Sequence, residues 1–189
     1  YPNRYPNTNY NNYQNSCFIG TYRLDSSRSD SASQIANRAI TNVDTRMRDR
    51  VRGNLERRLE APEMLTLERN GQNITIASSR APQVTLVADG QSRTEQNAQG
   101  RSTTVIASFN RNQLNVTTTG DRGNDYSVTF EPFDNCRRLR VTRTISNDRL
   151  PQPVTARSVY EKTSDRAQLD MSANGSEIPM DRQRSRFIV

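Results

Sequence analysis

From Glu63 to Thr163 the apolar residues of this chain recur at every second position, and short turn signals separate the runs. Period two is the signature of strands with one buried face, and no helical stretch long enough for a crossover interrupts it. Met64–Arg69 and Gln72–Ser78 flank Asn70-Gly71, a pair suited to a two-residue hairpin. Val84–Ala88 and Ser92–Gln96 flank Asp89-Gly90, which predicts a second hairpin of the same kind. Arg101–Phe109 and Gln113–Thr119 follow, then Asp125–Pro132, Cys136–Ser146 and Val154–Thr163. Strands joined so closely must be antiparallel neighbours. One face of them carries Ile74, Ile76, Val84, Leu86, Val105, Ala107, Leu114, Val116, Tyr126, Val128, Phe130, Leu139 and Val141.

A tenth strand stands apart at Cys17–Leu24, where Phe18, Gly20, Tyr22 and Leu24 alternate with Cys17, Ile19, Thr21 and Arg23. Between it and the others lies the only helical period. Asp30 or Ser31 offers an N-cap. Ile35, Ala36, Ala39, Ile40 and Val43 form a stripe, continued by Met47, Val51, Leu55 and Leu59. Asn42 and Asp44 suit a break and a new cap, so two helices are expected within residues 30–60, ended by Pro62. Without bulky aromatics on its apolar face, the pair is a poor membrane-surface helix and is expected to lie against the sheet. Ten antiparallel strands with a single apolar face bury it most simply by curling, so the expected fold is mainly β: a ten-stranded antiparallel meander barrel with a helical pair inserted after the first strand.

Low-complexity arms flank the expected barrel of residues 17–163. Residues 1–16 are rich in Tyr, Asn and Pro, with Tyr1, Tyr5, Tyr10 and Tyr13 spaced through them, and Pro2 and Pro6 exclude a regular helix. Residues 164–189 are polar and rich in arginine, with small apolar clusters at Ile178, Met180, Phe187, Ile188 and Val189. Neither arm buries enough apolar surface to order itself, and tyrosine is well suited to docking on a neighbour. The opening at Tyr1 rather than Met fits a removed leader.

The 189 residues are only 32% apolar and the mean hydropathy is −0.93, so the core is small for the length and nothing approaches a membrane span. The net charge of +7 rests almost wholly on arginine, Lys162 being the one lysine. Those arginines are interleaved with acids throughout and aromatics are few, which argues for a solvated surface and against nucleic acid as a partner. Cys17 and Cys136 suit a disulfide, within one chain or between two, and hence an oxidising compartment. Two neighbouring-but-one strands are about 9.6 Å apart, so an intrachain link fits only at the barrel rim, beyond the tenth strand.

Histidine is absent, which removes the usual general base and the commonest metal ligand. No nucleophile elbow, P-loop or dinucleotide fingerprint occurs, and two cysteines without histidine make a poor zinc site. Catalytic residues, metal and cofactor are therefore not assigned, and the chain reads as non-enzymatic. Asn73, Asn115 and Asn174 open glycosylation triplets of a kind that chance supplies in so polar a sequence.

Two local motifs add a resemblance. Phe18-Ile-Gly-Thr-Tyr-Arg-Leu24 is similar to the opening Phe-x-Gly-Thr-Trp-x-Leu of the fatty-acid-binding branch of the calycin superfamily, which also contains the lipocalins. Arg157-Ser-Val-Tyr-Glu-Lys162 resembles its closing Arg-x-Tyr-Glu-Lys. The resemblance implies a barrel that carries a small apolar ligand beneath a helical lid, with Arg157 or Arg143 meeting a carboxylate and Tyr126 and Tyr160 nearby. One departure stands out: Arg157 and Tyr160 are three apart, so a regular strand points them to opposite faces. The arms, which a carrier does not need, point instead to a secreted, extracellular or cell-surface subunit that polymerises with copies of itself through residues 1–16 and 177–189, and this is the leading expectation. The carrier is the alternative.

Overall fold

The computed structural model describes residues 17–96, 101–120 and 124–170. Among these, ten strands form one antiparallel sheet that curls into a nearly closed barrel. The strands are β1 (Gly20–Asp25), β2 (Met64–Asn70), β3 (Asn73–Ser78), β4 (Ala81–Val87), β5 (Asp89–Gln96), β6 (Ser102–Asn110), β7 (Gln113–Gly120), β8 (Asn124–Phe133), β9 (Arg138–Ser146) and β10 (Val154–Ser164). Their order is β4-β3-β2-β1-β10-β9-β8-β7-β6-β5, so the first and last strands pair in the middle of the sheet. The residues expected on one face do line the interior, Val84 alone being half-exposed.

The Asp89-Gly90 hairpin does not form. β4 and β5 follow one another directly, yet they are the two edges of the sheet, and β5 pairs with β6 from Asp89 opposite Ser108. Gly90 does take a left-handed φ of +79°, as the dipeptide predicts. The Asp89 carboxylate, however, accepts from the Gln91 backbone N–H and grips Arg93 through both oxygens, which makes a kink rather than a return. A dipeptide sets the local turn, and closure of the sheet decides which strands pair. Asn70-Gly71, by contrast, joins paired strands, with Asn70 opposite Asn73.

Two α-helices connect β1 to β2. In α1 (Ala32–Ala39) the Ser31 side chain caps Gln34 N–H, and in α2 (Thr45–Leu59) the Asp44 carboxylate caps Arg46 N–H. Asp30 instead ties the pair to the barrel: its N–H donates to Arg157 O, and its carboxylate accepts from Arg157 N–H. Ile35, Ala36, Ile40, Val43, Val51, Leu55 and Leu59 are buried against the barrel's open end. Met47, expected in that stripe, lies exposed. No helix among the described residues is long and apolar enough to cross a membrane.

The opposite end is closed by the opening motif. Phe18 is fully buried and packs edge-on against Phe109 at 5.2 Å, with the Arg69 guanidinium 3.6 Å over the Phe109 ring. Gly20 has φ +144°, and a Cβ there would lie 2.5 Å from Ser164 O, so the first strand can cross the end of β10 only with glycine. Cys17 is bonded to Cys136 within the chain, and both lie at this rim. Cys136 was expected to open β9; it sits instead in the turn before it, where Asp134, Asn135 and Cys136 all have left-handed φ values. The first residues past β10 fold back on their own barrel, where Thr21 Oγ1 donates to Arg166 O and Thr66 Oγ1 to Gln168 O. The proposed assembly residues Tyr1, Tyr5, Tyr10, Tyr13, Ile178, Met180, Phe187, Ile188 and Val189 lie outside the described residues.

The bridge closes a loop with a sequence separation of 119. On the chain-entropy model its loss costs roughly 4–5 kcal/mol, so the paired variant Cys17→Ser/Cys136→Ser should unfold at a much lower urea concentration. An unchanged midpoint would show that the rim contacts alone set the stability.

Candidate functional site

On β9 the alternation Leu139, Val141, Arg143, Ile145 continues without a break, and all four are fully buried. Arg143 therefore points into the barrel because its neighbours on the same face do. Its direct cross-strand partners are Val128 on β8 and Ala156 on β10. Both are smaller than the residues around them, which leaves the guanidinium room to spread. Nη1 donates to Ser158 Oγ at 3.3 Å, and the positive charge of the guanidinium acts on the phenols of Tyr126 and Tyr160. Tyr160 donates onward to Pro62 O at 3.1 Å, joining this cluster to the chain that leaves α2. From α2, the Arg58 guanidinium lies over the face of the Tyr126 ring, 5.3 Å from its centroid.

The arrangement places a cation, two phenols and a serine hydroxyl within an apolar interior. Moving a guanidinium out of water costs several kcal/mol, and neutral hydroxyls return only part of that. They solvate the charge without neutralising it. Burial raises the Tyr126 and Tyr160 pKa values above the usual phenol range, and the positive field of Arg143 opposes that rise at both. Burial also lowers the pKa of Arg58.

Of the residues expected to meet a ligand, the structure brings Arg143, Tyr126 and Tyr160 together. Arg157 is a correction: it is exposed on the outer face of β10, since the strand runs without a bulge from Val154 to Glu161 and three positions reverse the face. Two members escaped the sequence reading. Ser158 shares a face with Tyr160 by simple alternation, and Arg58 follows Val51 and Leu55 by seven and three residues, on the flank of the buried stripe.

The interior is filled. Phe18, Tyr22, Phe130, Arg143 and Tyr160 have no surface open to a water-sized probe, so none of them lines an open cavity. A cavity of about 630 Å³ lies elsewhere, at the disulfide rim beside Asp134, Arg138, Glu161, Lys162 and Asp165. Most of its charges are paired, Arg138 with Asp134 and Glu161 and Lys162 with Asp165 at 3.0 Å, while Arg137, also in the lining, is in none of these pairs. The inner cluster is the stronger candidate, because it sets a fully buried cation beside hydroxyls inside an apolar barrel.

No family model matches the sequence, and no curated protein is significantly similar to it. Among solved structures, the chain is similar to Echinococcus granulosus fatty-acid-binding protein 1, at 16% identity and TM-score 0.49, over 78% of this chain and 98% of that one. It is also similar to a Schistosoma mansoni fatty-acid-binding protein in complex with arachidonic acid, at 22% identity and TM-score 0.49, over 79% and 98%. Lipid binding protein 8 of Caenorhabditis elegans matches at 15% identity and TM-score 0.48, over 77% and 95%. The chain thus resembles fatty-acid-binding proteins in its ten-stranded barrel and helical pair. At TM-scores below 0.5 these neighbours say nothing about what it binds.

A phenol whose pKa is raised by folding ionises first in the unfolded chain. Its contribution to stability is therefore complete below about pH 10 and is lost as pH rises beyond it. The urea midpoint should fall between about pH 9 and 11, and less steeply in Tyr126→Phe/Tyr160→Phe. Equal slopes in the two proteins would place the alkaline sensitivity outside this cluster.

Proposed function

We propose that this protein is a non-enzymatic carrier of a small apolar ligand with an anionic head, bound inside the barrel beneath the helical pair. The buried guanidinium of Arg143 carries the reading. A carboxylate brought to it would form charge-assisted hydrogen bonds in a dry interior. The apolar lining of β6 to β9, including Val105, Val116, Val128 and Phe130, would receive the chain. The likeness to proteins named for fatty-acid binding agrees with this but carries none of it.

Because the interior side chains are closed on one another, entry requires the helices to move. The contacts that would loosen include Arg58 over Tyr126, the Tyr160–Pro62 bond and the packing of the buried helical stripe from Ile35 to Leu59. The Asp30–Arg157 pair of bonds at the start of α1 serves as the hinge anchor. The Cys17–Cys136 bridge at the far end holds the barrel while this end opens, and suits work in an oxidising, extracellular setting.

Displacement of a fluorescent fatty acid tests the reading. The protein should bind the probe stoichiometrically, and Arg143→Met should weaken binding at least about tenfold. The same substitution should leave the urea midpoint unchanged or higher, since a buried charge replaced by a hydrophobe of similar volume often stabilises. A protein that ignores the probe, or a variant that binds it as well, would overturn the proposal.

A further inference from the structure

Helix α2 carries six arginines against two acids, Asp49 and Glu56. Its apolar positions Val51, Leu55 and Leu59 are buried on the barrel. Two of the arginines have tasks within the fold: Arg48 donates to Thr41 O and Val43 O, tying the helices together, and Arg58 lies over Tyr126. Arg46, Arg50 and Arg57 have none. At 3.6 residues per turn these three fall within about 40° of one another, on the side of the helix turned away from the buried stripe. All three are exposed, and none forms an ion pair or a side-chain hydrogen bond with a described residue.

Like charges four residues apart, as at Arg46 and Arg50, disfavour a helix. Asp49 and Glu56 lie about a quarter turn away and form no ion pair among the described residues that would relieve them. Gly53 falls between Arg50 and Arg57 on the same side and leaves bare backbone there. Arg57 leans back over it, with Nη1 3.7 Å from the place a Gly53 Cβ would take. The three guanidinium groups therefore form a strip, stepping about 6 Å and then about 10.5 Å along the helix axis at the level of the backbone. Helix α2 contains no aromatic residue on which a base would stack, and its apolar face is already buried against the barrel. A nucleic acid and a membrane surface are thus the poorer fits. A linear chain of sulfate esters is the better one: it holds its charge at any physiological pH, and each sulfate presents paired oxygens to the guanidinium fork.

We propose that the solvent face of α2 is a docking strip for a linear sulfated polysaccharide, with Arg46, Arg50 and Arg57 holding successive sulfates. The inference goes beyond the carrier reading, because it uses the outside of the helix and not the barrel interior, and either can fail without the other. The disulfide suits the oxidising surroundings in which such polymers are met.

Calorimetric titration of the full chain with a heparin oligosaccharide, at about physiological ionic strength, tests it. Arg46→Gln/Arg50→Gln/Arg57→Gln should weaken binding about tenfold or more and lower the salt slope by about one for each arginine removed. Arg23→Gln/Arg111→Gln/Arg149→Gln removes the same charge from exposed positions on the barrel and should weaken it about twofold or less. Lysine at the three strip positions keeps the charge without the fork, so that variant should fall between the glutamine variant and the unaltered protein. Both glutamine variants should keep the urea midpoint, being surface changes. Hyaluronan, which bears carboxylates but no sulfates, should bind much more weakly than heparin. Heparin bound as tightly by the strip variant as by the unaltered protein would overturn the proposal. Equal losses in the two glutamine variants would overturn it by showing that net charge alone attracts the polymer. Hyaluronan, duplex DNA or phosphatidylserine vesicles bound as tightly as heparin would overturn the assignment to sulfate.

Discussion

A guanidinium sealed from water on the inner face of β9 is the constraint around which the rest of this protein is arranged. Leu139, Val141 and Ile145 fix the face on which Arg143 must lie, and β8 and β10 then present small side chains beside it and hydroxyls just beyond. A barrel that needed only stability would be served at least as well by a hydrophobe there. Taking the charge out of water costs free energy, and its polar partners offset that cost. A functional reading therefore begins at Arg143 and extends outward to the helices.

The two ends of the barrel have different physical characters. At one, glycine permits a close crossing, Phe18 and Phe109 interlock, and a disulfide joins the entry of β1 to the β8–β9 turn. These contacts tie the entry of β1 to distant strands and turns of the barrel. At the other, two helices are attached by a handful of hydrogen bonds and an apolar stripe, and one arginine reaches from them into the interior. Among the described residues, this end is held by helical packing and a few hydrogen bonds rather than by strand pairing. The seam between β4 and β5 adds compliance along the wall, because neither edge is paired to the other.

Much of this was legible from the residues. Period two from Glu63 onward dictates antiparallel neighbours and one buried face, and the pairing of β1 with β10 follows from curling such a sheet. Arg143 and Tyr160 can be assigned inward by counting from Leu139 and Ser158, and Arg157 outward by the same count. The failures share a cause. Asp89-Gly90 sets a local turn, but only global closure reveals that its two strands are edges. Arg58 looks like one of many helical arginines until the helix is seated over Tyr126, and the left-handed run at Asp134–Cys136 cannot be told from a strand opening by alternation alone. Each required knowledge of what lies across the molecule, which a local pattern does not hold.

The most direct test of the account is the Arg143 side chain itself, observed by ¹⁵N NMR at its Nε–H. Without ligand, the signal should be protected from solvent exchange, as a fully buried guanidinium requires. On addition of one equivalent of an anionic amphiphile it should move to a new, equally protected position while the surface arginines stay still. Saturable binding that leaves this signal where it was would show that the ligand seats elsewhere and that the buried charge serves the fold alone.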